Sequence, residues 1–221
     1  MLRDDFCIKI AGEAGQGINV STLALARAFT RRGFYAFLLT DNPNSIKLEH
    51  NWCSLRISNT PLTSQASRVD ILVALNKDAI FRRQHEVAEG GRIIFDSETT
   101  KLKDKDKKEN LEYLPVPFEK MIQELNVPAL LRNTVALGAI FGLIDYDIAV
   151  MQGIIEEQFT RKGPQIVKQN NDALRAGFNY IKSNLRSKVA FGIKARNNNP
   201  KMFLNGNEAV GIGAIKAGCK F

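Results

Sequence analysis

The run Val69-Asp70-Ile71-Leu72-Val73-Ala74-Leu75 leaves almost nothing polar to turn toward water. A strand with one wet face alternates; a continuous apolar run of this length reads as a strand covered on both faces. Such a strand needs helices on both sides of its sheet, and the flanking sequence supplies them. Residues 6–11, 34–40, 52–57, 92–95 and 111–116 are further β-prone runs. Helical spacing fills residues 18–32, 78–89, 118–125, 129–144, 148–159 and 165–185. Gly33 suits the stop of the first helix, Gly90-Gly91 a turn, and Gly163-Pro164 a break between the last two helices. The pattern predicts a three-layer α/β/α sandwich on a largely parallel sheet, with a mixed sheet also compatible.

Composition narrows the class. With 221 residues, 44% hydrophobic and 24% charged, the chain has the balance of an ordinary soluble protein. The apolar run at 6–11 is too short for a signal-peptide core or a membrane span, which points to a cytoplasmic protein off the membrane. Cys7, Cys53 and Cys219 have no close spacing, against a disulfide framework, a zinc site or a self-contained iron–sulfur cluster. The net charge of +8 does not choose among nucleic acid, a phosphate-rich ligand and an acidic protein. Much of it falls in residues 101–108 and 182–201, which read as solvated loop and tail, and no recognised nucleic-acid motif is present.

The segment from Gly12 to Gly17 follows a strand and precedes a helix, an arrangement that aims backbone N–H groups and the positive helix end at one spot. Gly12, Gly15 and Gly17 give G-x-x-G-x-G, the reverse of the dinucleotide fingerprint. Gly12 and Gly17 have the P-loop gap, but Ile18 stands where a nucleotide loop needs lysine. On local grounds an anion site and a plain packing turn stay equally open.

The longer string Ile10-Ala11-Gly12-Glu13-Ala14-Gly15-Gln16-Gly17-Ile18 resembles the opening of the gamma domain of 2-oxoacid:ferredoxin oxidoreductases. The resemblance continues in order through Pro43, Ser45, Ile46, His50-Asn51 and Leu55-Arg56-Ile57-Ser58, then 69–76, Gly90-Gly91, Asp96-Ser97 and 132–139. It spans residues 6–185. Residues 205–218 resemble the start of the alpha domain that packs over thiamine diphosphate. The chain thus divides into a gamma-type domain at 1–185, a basic linker at 186–201 and a stub of the alpha domain at 202–221, expected to be poorly anchored. Where the family commonly reads Ile-Arg-Gly-Gly-His-Asn, this chain has Ile46-Lys47-Leu48-Glu49-His50-Asn51, so a planar cation and two glycines are replaced.

The resemblance implies a part in oxidative decarboxylation of a 2-oxoacid, with electrons leaving through iron–sulfur clusters to ferredoxin and acyl transfer to coenzyme A. The fused gamma–alpha arrangement leans toward 2-oxoglutarate-type enzymes. Thiamine diphosphate and the clusters belong to other parts of the complex, so the chain by itself is expected to bind no cofactor and to be inactive. Its implied partners are the alpha and beta subunits and, through them, ferredoxin. Its implied role is coenzyme A handling and assembly, with Gly12, Glu13, Gly15, Gln16, Gly17, Ile18, Ser45, Lys47, His50 and Asn51 as ligand-facing candidates and no catalytic or metal-binding residue. Glu13 and Gln16 could equally stitch the loop to itself, and His50 could be a structural hydrogen-bonder. His85 reads as surface, Arg56 as an ion-pair residue and Trp52 as core or interface. Two alternatives remain at this stage: a non-catalytic interaction module, and a stand-alone nucleotide-binding protein.

Overall fold

A computed structural model describes residues 2–41, 50–185, 192–193 and 199–220. After β1 (Leu2–Arg3) the chain runs through β2 (Asp5–Glu13), α1 (Ile18–Arg31), β3 (Tyr35–Asp41), β4 (His50–Ser58) and β5 (Val69–Ala74). Then come α2 (Lys77–Arg83), β6 (Val87–Asp96), β7 (Glu112–Val116), α3 (Phe118–Leu125), α4 (Arg132–Leu143), α5 (Ala149–Phe159) and α6 (Pro164–Asn184). The short β8 (Gly192–Ile193) pairs in parallel with β1, and α7 (Gly206–Lys216) follows.

The main sheet has the order β3-β4-β2-β5-β6-β7. β2, β5, β6 and β7 are mutually parallel, while β4 is antiparallel to both β2 and β3. The expected α/β sandwich is therefore present, with a mixed sheet. Alternation along β2 and β4 feeds two cores. Phe6, Ile8, Ile10, Cys53, Leu55 and Ile57 face α1 and α4 to α6; Cys7, Ala11 and Trp52 face α2. β5 contributes to both, with Ile71 and Val73 to one side and Leu72 and Ala74 to the other, as its unbroken apolar run requires.

The two outer layers are unequal. The thick one centres on Phe29, whose ring meets those of Phe6, Phe34, Phe141 and Tyr146 at centroid distances of 5.7, 5.8, 5.8 and 5.4 Å. The thin one holds α2, only 7 residues long, and connecting segments. The helix expected over residues 78–89 is shorter because Gln84–Glu86 tightens into a 3-10 turn and Val87 already joins β6. Gly90-Gly91 is not a turn between elements but an excursion inside β6, where Val69 pairs with Val87 and Ile71 with Arg92. A Cβ on Gly91 would lie 2.7 Å from the Ala88 carbonyl oxygen, so the excursion folds tightly on itself.

Beyond the domain, the Lys201 amide donates to the Thr30 carbonyl at 2.8 Å and Phe203 packs on the helix-side core. Lys201 and Phe203 thus tie this part of the chain to α1 and the helix-side core. α7 differs: no residue of it is buried, and Val210 is 74% exposed. No helix among the described residues is long and apolar enough to cross a membrane.

Candidate functional site

Parallel strands deliver their carboxyl ends to one edge of the sheet, and in open α/β sheets ligands bind outside that edge. Here the edge holds the ends of β2, β5, β6 and β7 together with the start of the reversed strand β4. Register fixes the junction, because Gly12 pairs with Asn51 and Glu13 with His50. The glycine-rich connection is shorter than expected. Gly12 and Glu13 belong to the ladder of β2, and only residues 14–17 form the turn.

The turn is stitched internally. The Glu13 amide donates to Gln16 Oε1 at 2.7 Å, and the Gln16 amide returns to the Glu13 carbonyl at 3.2 Å. A Cβ on Gly12 would collide with Gln16 Oε1, so this stitch depends on glycine there. Glu13 Oε1 also accepts from Asn76 Nδ2 at 2.9 Å, and Asn76 in turn caps α2 through Ala79. Gly17 is left-handed at φ 72° and caps α1 without any side-chain bond, and the first turn of α1 carries no acid. A helix start of this kind presents amide donors and positive potential to an anion.

Three hollows meet at this turn. One of about 230 Å³ is lined by Glu13, Gly15, Gly17, Ile18, Asn19, Val20 and Asn51. A second, of about 160 Å³, lies between Gly15, Gln16, Leu75, Asp96, Arg132 and Asn133. The third is a more apolar groove of about 440 Å³ along Val20, Leu130, Leu131, Phe159 and Ile166, with Lys162, Gln169 and Asn170 on its wall. A separate hollow of about 370 Å³, beside Arg27, Arg31 and Lys201, lies at the opposite end of α1.

Asn51 is only 9% exposed, and its Oδ1 has no hydrogen-bond partner among the described residues. It faces the α1 side, among the residues lining the first hollow. Its neighbour His50 turns to the other face, as strand alternation demands. There Arg83 Nε donates to His50 Nε2 at 2.9 Å, which makes Nε2 the acceptor and leaves the ring proton on Nδ1. Nδ1 is buried without a hydrogen bond among the described residues, 3.9 Å from Asp78 Oδ2. Burial, with the Arg83 charge adding to it, holds the His50 pKa below its ordinary value. Arg83 also donates to Glu86 Oε1 at 2.7 Å. Glu86 pairs with Lys9, whose ammonium sits 3.8 Å from the centre of the Trp52 ring. Burial pushes the Glu86 carboxyl up, but the bonds and charges of Lys9 and Arg83 outweigh it and hold the pKa below the usual range.

The structure therefore brings Gly12, Glu13, Gly15, Gln16, Gly17, Ile18 and Asn51 to one edge and carries the His50 side chain into a network under α2. Ser45 and Lys47 lie outside the described residues. Arg56 is an ion-pair residue, bonded to Asp5 at 3.0 and 2.7 Å, and the side chain of His85 is exposed. Sequence reasoning did not single out Asn76, Arg83 or Asn133. Asn76 and Asn133 stand inside the motif strings at 69–76 and 132–139, but their contacts with Glu13 and Gln16, like that of Arg83 with His50, join segments far apart in the chain. Among the described residues no group of three or more His, Cys, Asp or Glu side chains is arranged to hold a metal ion.

Known proteins resemble this chain along most of its length. The pyruvate ferredoxin/flavodoxin oxidoreductase family matches residues 7–180. The alpha subunit of 2-oxoacid:ferredoxin oxidoreductase 1 from Sulfurisphaera tokodaii is 24% identical over 96% of this chain and 39% of its own length. Ketoisovalerate oxidoreductase subunit VorA from Methanothermobacter marburgensis is 29% identical over 80% of this chain and 37% of its own length. The chain thus spans 39% or less of these curated relatives. Among solved structures, 2-oxoglutarate:ferredoxin oxidoreductase from Magnetococcus marinus, with 2-oxoglutarate, coenzyme A and succinyl-CoA bound, superposes at a TM-score of 0.87. It is 24% identical, over 99% of this chain and 38% of that one. The keto/oxoacid ferredoxin oxidoreductase gamma subunit from Geobacter sulfurreducens superposes at 0.67 with 22% identity, over 80% of this chain and 96% of that one. With a strand–turn–helix opening and a mixed six-stranded sheet in place, and the family match covering most of its length, the chain belongs to the pyruvate ferredoxin/flavodoxin oxidoreductase family.

Proposed function

We propose that this chain works as the gamma-type part of a 2-oxoacid:ferredoxin oxidoreductase, which converts a 2-oxoacid to acyl-CoA and passes electrons to ferredoxin. Its own contribution is to receive coenzyme A at the edge formed by the glycine turn and the start of α1. The observation that carries this reading is the buried Asn51 Oδ1, unpartnered among the described residues, beside a start of α1 that has no side-chain cap. A polar atom in that position, with no donor among the described residues, is suited to receive one from a ligand. Coenzyme A offers both kinds of group needed there: phosphates for the amides and amide or hydroxyl donors for Asn51. In the Magnetococcus enzyme coenzyme A is part of the bound set.

Gly12, Glu13, Gly15, Gln16, Gly17 and Ile18 form the phosphate-facing edge in this reading, and Ser45 and Lys47 are added to it on the strength of the family resemblance alone. Thiamine diphosphate supplies the decarboxylation chemistry when bound, and it and the iron–sulfur clusters are held by the alpha and beta parts. The cysteines of this chain do not suit a cluster: Cys7 and Cys53 are buried apart, bonded to Ser54 and Asn19. The partners are those alpha and beta parts, and the compartment is the cytoplasm.

A second reading, an interaction module without chemistry, draws on α7, which leaves Val210, Ile212 and Ile215 exposed. One experiment separates the two. The chain is co-purified with thiamine diphosphate-binding partner subunits and assayed for thiamine- and coenzyme A-dependent viologen reduction. Coenzyme A is then titrated against wild type, Gly15→Val and Lys47→Ala in the assembled complex. Weaker binding by the variants is the expected result, since Gly15 sits at φ 91°, where valine strains the turn. Equal affinity for all three would leave the turn as a packing device only.

A further inference from the structure

Asn133 lies in the first turn of α4 and reaches the β2–α1 turn 117 residues earlier, where its amide nitrogen donates to the carbonyl of Gln16. The contact is close on both sides of that peptide. A Cβ added to Gly17 would collide with the same Asn133 nitrogen. Asn133 also lines both the 160 Å³ hollow and the 440 Å³ groove, so it stands in the partition between them.

The geometry of the peptide bond gives this contact a consequence. In a trans peptide the carbonyl and the following N–H point in opposite directions. With the Gln16 carbonyl turned to Asn133, the Gly17 N–H is directed away from α4. The 230 Å³ hollow is the one of the three whose lining lacks Asn133, and it includes Gly15, Gly17 and Asn51. Rotation of the 16–17 peptide would turn its carbonyl oxygen in that direction instead and repel an anion. Gly17 is left-handed and has no side-chain cap to resist such a rotation. The restraint therefore comes from another part of the chain.

We propose that Asn133 is a positioning residue that sets the orientation of the 16–17 peptide and thereby aims the Gly17 amide and the first amides of α1 at the ligand. The proposal rests on the coenzyme A reading above for the ligand, but the restraint on the turn can be measured without it. Asparagine suits the task because its amide donates without bringing charge. Aspartate at 133 keeps the shape and removes the donor; alanine removes both.

The test uses the full chain as wild type, Asn133→Asp and Asn133→Ala. Amide hydrogen exchange is followed at residues 15–20 and, as a control, at 137–141 inside α4. Coenzyme A is titrated against each variant assembled with its thiamine diphosphate-binding partner subunits. Exchange at the turn is expected to accelerate by about tenfold in both variants, with the α4 interior unchanged, and coenzyme A affinity to fall by about tenfold. A purely structural role would alter the folded fraction and leave the affinity of the folded protein where it was. Unchanged exchange at the turn, equal acceleration throughout α4, or coenzyme A affinity equal to wild type would each overturn the proposal. If the wild-type complex itself fails to bind coenzyme A, the ligand reading falls, while a turn-specific change in exchange still supports Asn133 as the restraint.

Discussion

Gly138 on α4 and Gly177 on α6 cross so closely that a Cβ on either would strike the other helix's backbone, at the Leu174 carbonyl in one case and the Val135 carbonyl in the other. Backbone cannot move aside as a side chain can. This crossing seats α4, and with it Arg132 and Asn133 at the edge where the glycine turn lies.

Gly138→Ala and Gly177→Ala are accordingly expected to destabilise the fold by about 2–3 kcal/mol each, since overpacking outweighs the gain in helix propensity. Gly153→Ala provides the contrast. Gly153 lies in α5 with nothing within 4 Å of an added Cβ, so alanine there should stabilise by up to about 1 kcal/mol. Urea unfolding of the three variants checks the sign of each change.

The Lys9–Glu86 pair makes a second prediction. The Lys9 side chain is 7% exposed, and Glu86 is the carboxylate it pairs with. Glu86→Gln leaves that ammonium buried over Trp52 and should cost about 3 kcal/mol; Lys9→Met should cost less, because Glu86 keeps Arg83. The folded pKa of Glu86 is lowered, so its contribution is complete above the ordinary glutamate value of 4.5 and is lost as pH falls through the folded value. The acid limb of the wild-type stability curve should flatten in Glu86→Gln.

His50 titrates with the corresponding sign for a base. Its folded pKa is lowered, chiefly by burial and then by Arg83, with Arg82 acting in the same direction and Asp78 and Glu86 opposing. The neutral ring's contribution to stability is complete above 6.5 and is lost as pH falls toward the folded value. NMR titration should show a midpoint below 6.5, moved upward by Arg83→Met. A midpoint at or above the ordinary value would contradict the arrangement around this ring.

The three cysteines should separate by reactivity. Burial pushes the thiols of Cys7 and Cys53 up to about 11, whereas Cys219 is exposed. A thiol reagent applied to the folded chain near neutral pH should label Cys219 rapidly and the other two only on unfolding. Mass spectrometry of labelled peptides gives the answer directly.

Much of the layer structure was legible in the sequence, because burial on two faces leaves a signature in consecutive residues. β5, the break at Gly163-Pro164 and the nearly all-apolar α4 are of this kind. Element limits were less legible. The helix after Asn76 was expected to reach residue 89, and it ends early because Val87 pairs with Val69. The pairing partner, absent from any local window, set that boundary. The candidate site was half legible. The glycine turn announced itself through its composition. Asn133 and Arg83 did not, since their roles depend on contacts with Gln16 and His50.

The sequence by itself determined which segments are strands and helices, because periodicity and apolar content are properties of neighbouring residues. It also carried the ordered string of motifs by which the family is recognised. Only the tertiary structure decided that β4 inserts in reverse between β2 and β3, which brings Asn51 against Gly12 at the carboxyl edge of the sheet. The same insertion parts His50 from Asn51, since adjacent residues of a strand face opposite sides. One side chain is left beside the start of α1 with an oxygen that has no partner among the described residues, and the other is drawn under α2 by Arg83. Side-chain direction of that kind follows from register, and register is set by pairing between segments that the chain keeps far apart.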